Sequence, residues 1–317
     1  MKNVIQQPFL LVAIVLAGSW NLSIATAQQA CDAIGCCDSA RGWSIGATAL
    51  FLDRVDEDAR LFSGPNGNFD ADEFGLGYQA GYQLTGRYDF NEDLAFITRW
   101  MSVDQWSERH GDLNGPPATA TLNAATVFNF PGTTFVNGIH SAALHSLELG
   151  FSRRLINDLH FTTSFRYLEI DDQFDFSLDA GILPTTVRTN ARNRLYGGQI
   201  GLQSTLLRHG RWSIDGLSQI GIFGNSASQS TGVRTGAARI STAGQTDEAS
   251  FLAELGINGR HHLTNHLSFV AGYQLMWVTS LAAAPNELLT TNLFVPSIAA
   301  DSNVFYHGAS VGFELAY

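Results

Sequence analysis

The sequence predicts an all-β fold, a transmembrane antiparallel up-and-down β-barrel of about ten strands, and three observations carry that prediction. Charge is scarce: 15% of the 317 residues are Asp, Glu, Lys or Arg, against roughly 25% in an ordinary soluble domain. From Gly42 onward, apolar and polar residues alternate with period two, as in Leu76, Tyr78, Ala80, Tyr82 and Leu84 against Gly77, Gln79, Gly81 and Gln83. The connections between these alternating stretches are short and long in strict turn. Tight turns on one rim and long loops on the other are the habit of an outer-membrane barrel, and nothing in a soluble sandwich enforces it.

Composition excludes other classes. A mean hydropathy of +0.01 leaves no room for several apolar helices of about 20 residues. The 31 Gly, 21 Phe and 11% aromatic content describe a chain with apolar surface to bury, not a disordered polar tract. A net charge of −11 opposes binding to nucleic acid, whose phosphates need a basic surface.

In chain order, residues 1–27 read as a signal peptide. Lys2 supplies the basic start, Phe9 to Gly18 is an apolar run too short to span a bilayer, and Ala25-Thr26-Ala27 is a cleavage signal. Export through this cleaved signal to the outer membrane of a Gram-negative-type bacterium follows. The only lysine goes with the signal, leaving 17 of the 18 basic residues against all 29 acidic ones. Residues 28–41 read as a periplasmic tail holding Cys31, Cys36 and Cys37. Zinc needs about four N or S ligands and no histidine is near, so the reading is one disulfide and one thiol, free or intermolecular. Gln28-Gln29-Ala30 before Cys31 does not suit lipidation.

Residues 42–317 form the barrel, with strands expected near 42–52, 75–90, 94–106, 141–155, 159–170, 192–207, 211–223, 249–262, 266–279 and 304–317. Short turns fall at Asn91-Glu92-Asp93, Ile156-Asn157-Asp158, Arg208-His209-Gly210 and Leu263-Thr264-Asn265. In the second long loop, Ser107 to His140, the stretches Thr119–Phe128 and Thr133–His140 would, as two further strands, give twelve. Pairing about Asn157 sets Leu149 against Phe165 and Phe151 against Thr163 outside, and Glu148 against Arg166 inside. Pairing about His209 sets Leu206 against Trp212 and Gln203 against Asp215.

Aromatics fall in two belts: Trp43, Tyr88, Phe90, Trp212 and Tyr317 toward the short turns, and Tyr78, Trp106, Tyr167, Trp277 and Phe305 toward the long loops. The last strand sends Phe305, His307, Ala309, Val311, Phe313, Leu315 and Tyr317 outward. Phe313, Leu315 and Tyr317 look like the terminal signal read by the bacterial barrel assembly machinery, an expected partner beside outer-membrane lipid.

The cysteine-bearing tail, Gly42-Trp43 leading into Ala49-Leu50-Phe51-Leu52 with Arg54, the pairs Gly77-Tyr78 and Gly81-Tyr82, and the Phe313 to Tyr317 ending resemble the uncharacterised outer-membrane β-barrel family abundant in planctomycetes. The resemblance covers most of the mature chain and implies the barrel fold. It brings no catalytic residues with it.

The inward parity carries a polar network, Arg87, Glu148, Arg166, Asp215, Glu254 and Arg260, in a lumen narrower than that of a sixteen-stranded porin. Paired charges there would plug the barrel, since an isolated charge in a confined interior is costly; a hydrated lining beside inward Gly77, Gly81, Gly197, Gly201, Gly256 and Gly272 would leave it open. The long loops look acidic, with Asp56, Glu57, Asp58, Asp70, Asp72 and Glu73 in the first and Asp171, Asp172, Asp175 and Asp179 in the third. Asn66-x-Asn68-x-Asp70-x-Asp72 alternates oxygen ligands like a calcium loop but lacks its glycine and final glutamate.

Enzyme constellations are weak. Asp158 and His160 sit at a periplasmic turn, Ser141 with His140 or His145 is the nearest serine–histidine pair but adjacent His140 and Ser141 point to opposite faces, and in His261-His262 with His266 the pair His262 and His266 offers only two imidazoles for a metal. The expected role is therefore non-enzymatic, envelope structure or surface interaction through the outer loops, with no catalytic, metal or cofactor site and an extracellular ligand the sequence does not name. A narrow passive channel for small solutes is the alternative, and a barrel enzyme acting on lipid or peptide is a distant third.

Overall fold

The computed structural model describes residues 42–56, 60–64, 67–70, 76–111, 118–122, 128–133, 135–179, 184–290 and 298–317. The segment expected to be a signal peptide, the expected tail with Cys31, Cys36 and Cys37, and Glu57, Asp58, Asn66, Asp72 and Glu73 of the first loop lie outside them.

In chain order the strands are β1 (Gly42–Val55), β2 (Arg60–Gly64), β3 (Gly67–Asp70), β4 (Gln79–Asp89), β5 (Leu94–Gly111), β6 (Ala118–Leu122), β7 (Phe128–Thr133), β8 (Phe135–Ile156), β9 (Leu159–Asp179), β10 (Thr185–His209), β11 (Trp212–Thr235), β12 (Ala238–His262) and β13 (Leu267–Leu281). One helix, α1 (Ala284–Thr290), follows, and β14 (Ser302–Ala316) completes the chain. Ten strands close into an antiparallel barrel in the order β1-β14-β13-β12-β11-β10-β9-β8-β5-β4. The count is ten, not twelve. β6 and β7 do form in the second loop, but in a separate sheet of order β3-β2-β6-β7. The barrel has no gap for them, because β5 and β8 pair directly from Leu94↔Arg153 to Gly111↔Asn137.

The outer face carries the apolar band. On β10, Tyr196, Ile200, Leu202 and Leu206 are exposed, and the ten steps from Tyr196 to Leu206 span about 33 Å at about 3.3 Å each. A tilt of about 40° turns that length into the roughly 25 Å apolar height of an outer-membrane barrel.

Five strands, β8 to β12, run well beyond this band, with lengths from 21 to 25 residues. The expected third and fourth loops are therefore mostly strand, and the fourth closes in a tight turn at Gly236, whose φ of 57° suits glycine. The physical reason is an inversion. Below Ile170, β9 sends apolar Phe165 outward; above it, Phe174, Phe176 and Leu178 are buried inside, while Asp171, Gln173 and Asp175 face out. Outside the bilayer the surroundings are water, so the apolar face turns inward and a search for apolar-outward alternation stops at the membrane edge.

Local irregularities correct several expected placements. The β5–β8 register shifts between Val103 and Trp106, and this bulge turns Trp106 into the lumen at 0% exposure, away from the lipid-facing belt. Leu206 is skipped in the β10–β11 ladder, so Trp212 meets His209 and Asp215 meets Thr205, in place of Leu206 and Gln203. Leu76 is buried, and Gly77, at φ 59°, redirects the chain before the exposed Tyr78. About Asn157 the expected pairs hold: Leu149↔Phe165, Phe151↔Thr163 and Glu148↔Arg166.

Candidate functional site: the barrel lumen

Inward side chains fill the lumen in layers. Nearest the short turns, Arg260 reaches Asp215 at 3.3 Å and Glu314 at 2.9 Å, and Thr205 donates to Asp215 at 2.7 Å. Arg87 stays local, donating to Asp89 on its own strand at 2.8 Å.

One layer up, four charges lock together. Arg99 donates to Glu254 through both terminal nitrogens, and to Glu148 from Nε at 3.0 Å. Arg166 donates to Glu254 at 2.6 Å and to Ser146 at 2.8 Å, while Glu148 also accepts from Ser164 and Gln219. Glu148, Arg166 and Glu254 are buried. β5 and β12 stand five strands apart in either direction round the barrel, so the Arg99–Glu254 pair crosses its full width. Glu148 and Arg166, although ladder neighbours, each spend their strongest contact on another partner.

Above this layer the interior is apolar. Leu50, Leu52, Met101, Leu144, Leu168 and Leu252 belong to one buried cluster that includes Trp106 and Tyr306, and Arg166 touches the Met276 sulfur at 3.4 Å. Higher still, Arg54 pairs with Asp172 at 2.9 Å and His140 with the same carboxylate at 2.6 Å. The Ala284 N–H at the start of α1 also donates to Asp172, at 3.0 Å. The segment before α1 is pinned from the wall, where Asn193 exchanges two 2.8 Å hydrogen bonds with Ala282 and Asn225 donates to the Ser280 carbonyl at 2.9 Å. Ala282, Ala283, Ala284 and Leu288 are buried.

The six expected lumen residues thus divide: Glu148, Arg166 and Glu254 in the crossing layer, Asp215 and Arg260 below it, and Arg87 at the rim. Sequence reasoning missed Arg99, Arg54, His140 and the buried segment before α1. Arg99 had a usable signal, since it alternates with the exposed Trp100. The expected acidic third loop is instead divided between the two faces of the wall: Asp172 is a lumen group, while Asp171 and Asp175 are paired outside by Arg192 and Arg188.

Catalytic arrangements fare poorly. Asp158 lies at the β8–β9 turn, 3.7 Å from Arg208, and Ser141 donates to Ser107 at 3.4 Å while His140 points the other way. An unexpected cluster, Ser102 with His145 at 3.0 Å and His145 with Asp104 at 3.4 Å, has the residue types of a nucleophilic triad. Ser102 is only 1% exposed, so a substrate carbonyl has no approach to its hydroxyl. His262 bonds Ser268 at 2.9 Å and His266 the Ala316 carbonyl at 3.0 Å, and no group of three His, Cys, Asp or Glu among the described residues is placed to hold a metal.

Residues 117–317, more than half of the chain, match the family described as "Putative beta barrel porin-7 (BBP7)". The chain belongs to this family. No curated protein matches it. Among solved structures, this chain is similar to the outer-membrane protease OmpT of Escherichia coli, with 11% identity, 87% of this chain and 96% of that chain covered, and a TM-score of 0.51. It is also similar to the translocator domain of the autotransporter NalP of Neisseria meningitidis (9% identity, 91% and 92% covered, TM-score 0.42) and to the toluene transporter TodX of P. putida (10%, 88% and 90%, 0.33). At 11% identity the likeness to the protease extends to the fold alone. The chain is an outer-membrane β-barrel.

Proposed function

We propose that this barrel is a closed, non-enzymatic envelope protein whose work is done at its outer surface, in envelope structure or surface interaction. The observation that carries the reading is the Arg99–Glu254 pair across the full width of the lumen, with an apolar layer and the buried 282–284 segment stacked above it. Ions crossing this path would have to break a paired charge layer and then enter an apolar one, each step costly. The outward Phe313, Leu315 and Tyr317 support recognition by the barrel assembly machinery on the way to the membrane.

The porin in the family description favours a second reading, a narrow passive channel. Single-channel conductance of the folded protein in a planar bilayer separates the two. We expect no discrete steps from the native chain. Reproducible steps that change size in Arg99→Ala would overturn closure and make the crossing layer a constriction.

A further inference from the structure

The outer face of the strand extensions holds a groove of about 720 Å³ whose lining includes Arg109, Asn137, Asp175, Arg188, Arg234 and Arg239. Register places these on one face. Arg109, Ile139, Asp175, Arg188, Gly232 and Ser241 follow one another across β5, β8, β9, β10, β11 and β12. The next row brings Ser177, Thr186, Arg234 and Arg239 side by side. On β9 and β10 both rows have the parity of the outward Phe165 and Tyr196, so the groove opens on the outside of the wall and not into the lumen.

Its charge is out of character for a chain with 29 acidic residues. Asp175 is taken up by Arg188, at 2.5 and 3.0 Å. Arg234 and Arg239 are exposed and directly opposed on the β11–β12 ladder, and among the described residues neither these two nor Arg109 has a carboxylate within ion-pair distance. Like charges set directly opposite destabilise a strand pair. The arrangement becomes favourable when an anion lies between them, because arginine binds phosphate or carboxylate through charge-assisted, often paired hydrogen bonds. Beside them, an atom added at Gly232 would meet nothing within 4 Å, so the groove floor is clear.

Height selects the source of the anion. Arg188 stands eight residues beyond Tyr196, the aromatic edge of the apolar band on β10, which is about 26 Å of strand and about 20 Å of height at a tilt of about 40°. That is above the phosphates of a lipid headgroup and level with sugars rising from it. We propose that the groove on the outer face of β9 to β12 binds the anionic sugar chain, phosphorylated or carboxylated, of an outer-leaflet glycolipid. The proposal deepens the outer-surface reading by naming its ligand class. Conductance tests the lumen and binding tests the groove, so each can fail alone.

The test is native mass spectrometry of the detergent-solubilised full chain titrated with lipopolysaccharide bearing its core sugars, with lipid A alone, and with dextran sulfate. The native chain is compared with R234S/R239S. We expect core-bearing glycolipid to bind, and the double variant to bind about a hundredfold more weakly, about tenfold per lost charge-assisted contact. Lipid A alone should bind both forms equally and weakly. Equal binding of core-bearing glycolipid by both forms would overturn the site. Variant-sensitive binding of lipid A would overturn the height argument, and dextran sulfate binding as tightly as glycolipid would make the ligand a soluble polyanion. Folding is checked by unchanged heat-modifiable migration, expected because the double variant removes a repulsion; R234K/R239K, keeping charge without the planar fork, should fall between the two.

Discussion

Glu254 is shared between Arg99 and Arg166, so removing its charge strands two guanidinium groups in a confined interior. Glu254→Gln should lower folding stability by about 3 kcal/mol or more, the usual cost of breaking a buried pair from one side, measured by urea unfolding in lipid vesicles; an unchanged midpoint would mean water already solvates the layer. Steric limits are sharper still at Gly308, where an added Cβ would lie 1.9 Å from the Phe51 carbonyl oxygen and 2.8 Å from the Leu52 Cα. Backbone cannot yield as a flexible side chain can, so Gly308→Ala should reduce the folded yield several-fold, read by heat-modifiable migration, whereas Gly224→Ala, with nothing within 4 Å, should fold normally. At this scale parity was legible from sequence and partnership was not. Period two put Glu148 and Arg166 on the inner face, but which arginine meets which carboxylate depends on barrel closure, and closure brings β5 opposite β12 across more than 150 residues of chain.

The helix α1 and the turn before it form the element that sequence hid most completely. Its seven residues show too little periodicity to announce a buried helix, and its anchors, Asn193, Asn225 and Asp172, come from three different strands. Strand extensions were hidden for another reason, the change of solvent at the membrane edge, which reverses the apolar face without breaking the alternation. Within α1, burial pushes the Glu287 carboxyl up to about 8, the Ala299 N–H it accepts works against this, and the nearby Asp301 charge adds to it. A free glutamate titrates at about 4.3, so between these values the docked segment holds a proton that the open one releases. Docking is then strongest below about pH 4 and weakens as pH rises toward 8. Amide protection of 284–290, corrected for the intrinsic exchange rate, should fall between pH 5 and 8, and Glu287→Gln should flatten that dependence; constant protection in the native chain would show that the carboxyl is not the latch.

For the whole molecule, closure rests on the seam between β1 and β14, the first and last barrel strands, which pair from Ser44↔Ala316 to Val55↔Phe305. Beyond the ladder, Tyr317 and Trp43 exchange two 2.8 Å backbone hydrogen bonds, and the Tyr317 ring is stacked 5.6 Å from Trp43 and 4.5 Å from His266. Strand number and the alternation of short and long connections were readable because they are local, whereas this seam joins residues at the two ends of the barrel sequence, Gly42–Val55 and Ser302–Ala316. A closed antiparallel barrel leaves no strand edge for detergent to pry open, so the native protein should migrate as a compact form in SDS until boiled. Tyr317→Ser keeps the backbone pairs but loses both ring contacts at the short-turn rim, each stack being worth about 0.5–1.5 kcal/mol. The variant should convert to the slow-migrating form at a lower temperature and assemble in smaller amount. A conversion temperature equal to that of the native chain would locate the seam's strength in the ladder alone, and reduced assembly despite that equality would point to Tyr317 acting before closure, as a recognition element for the assembly machinery.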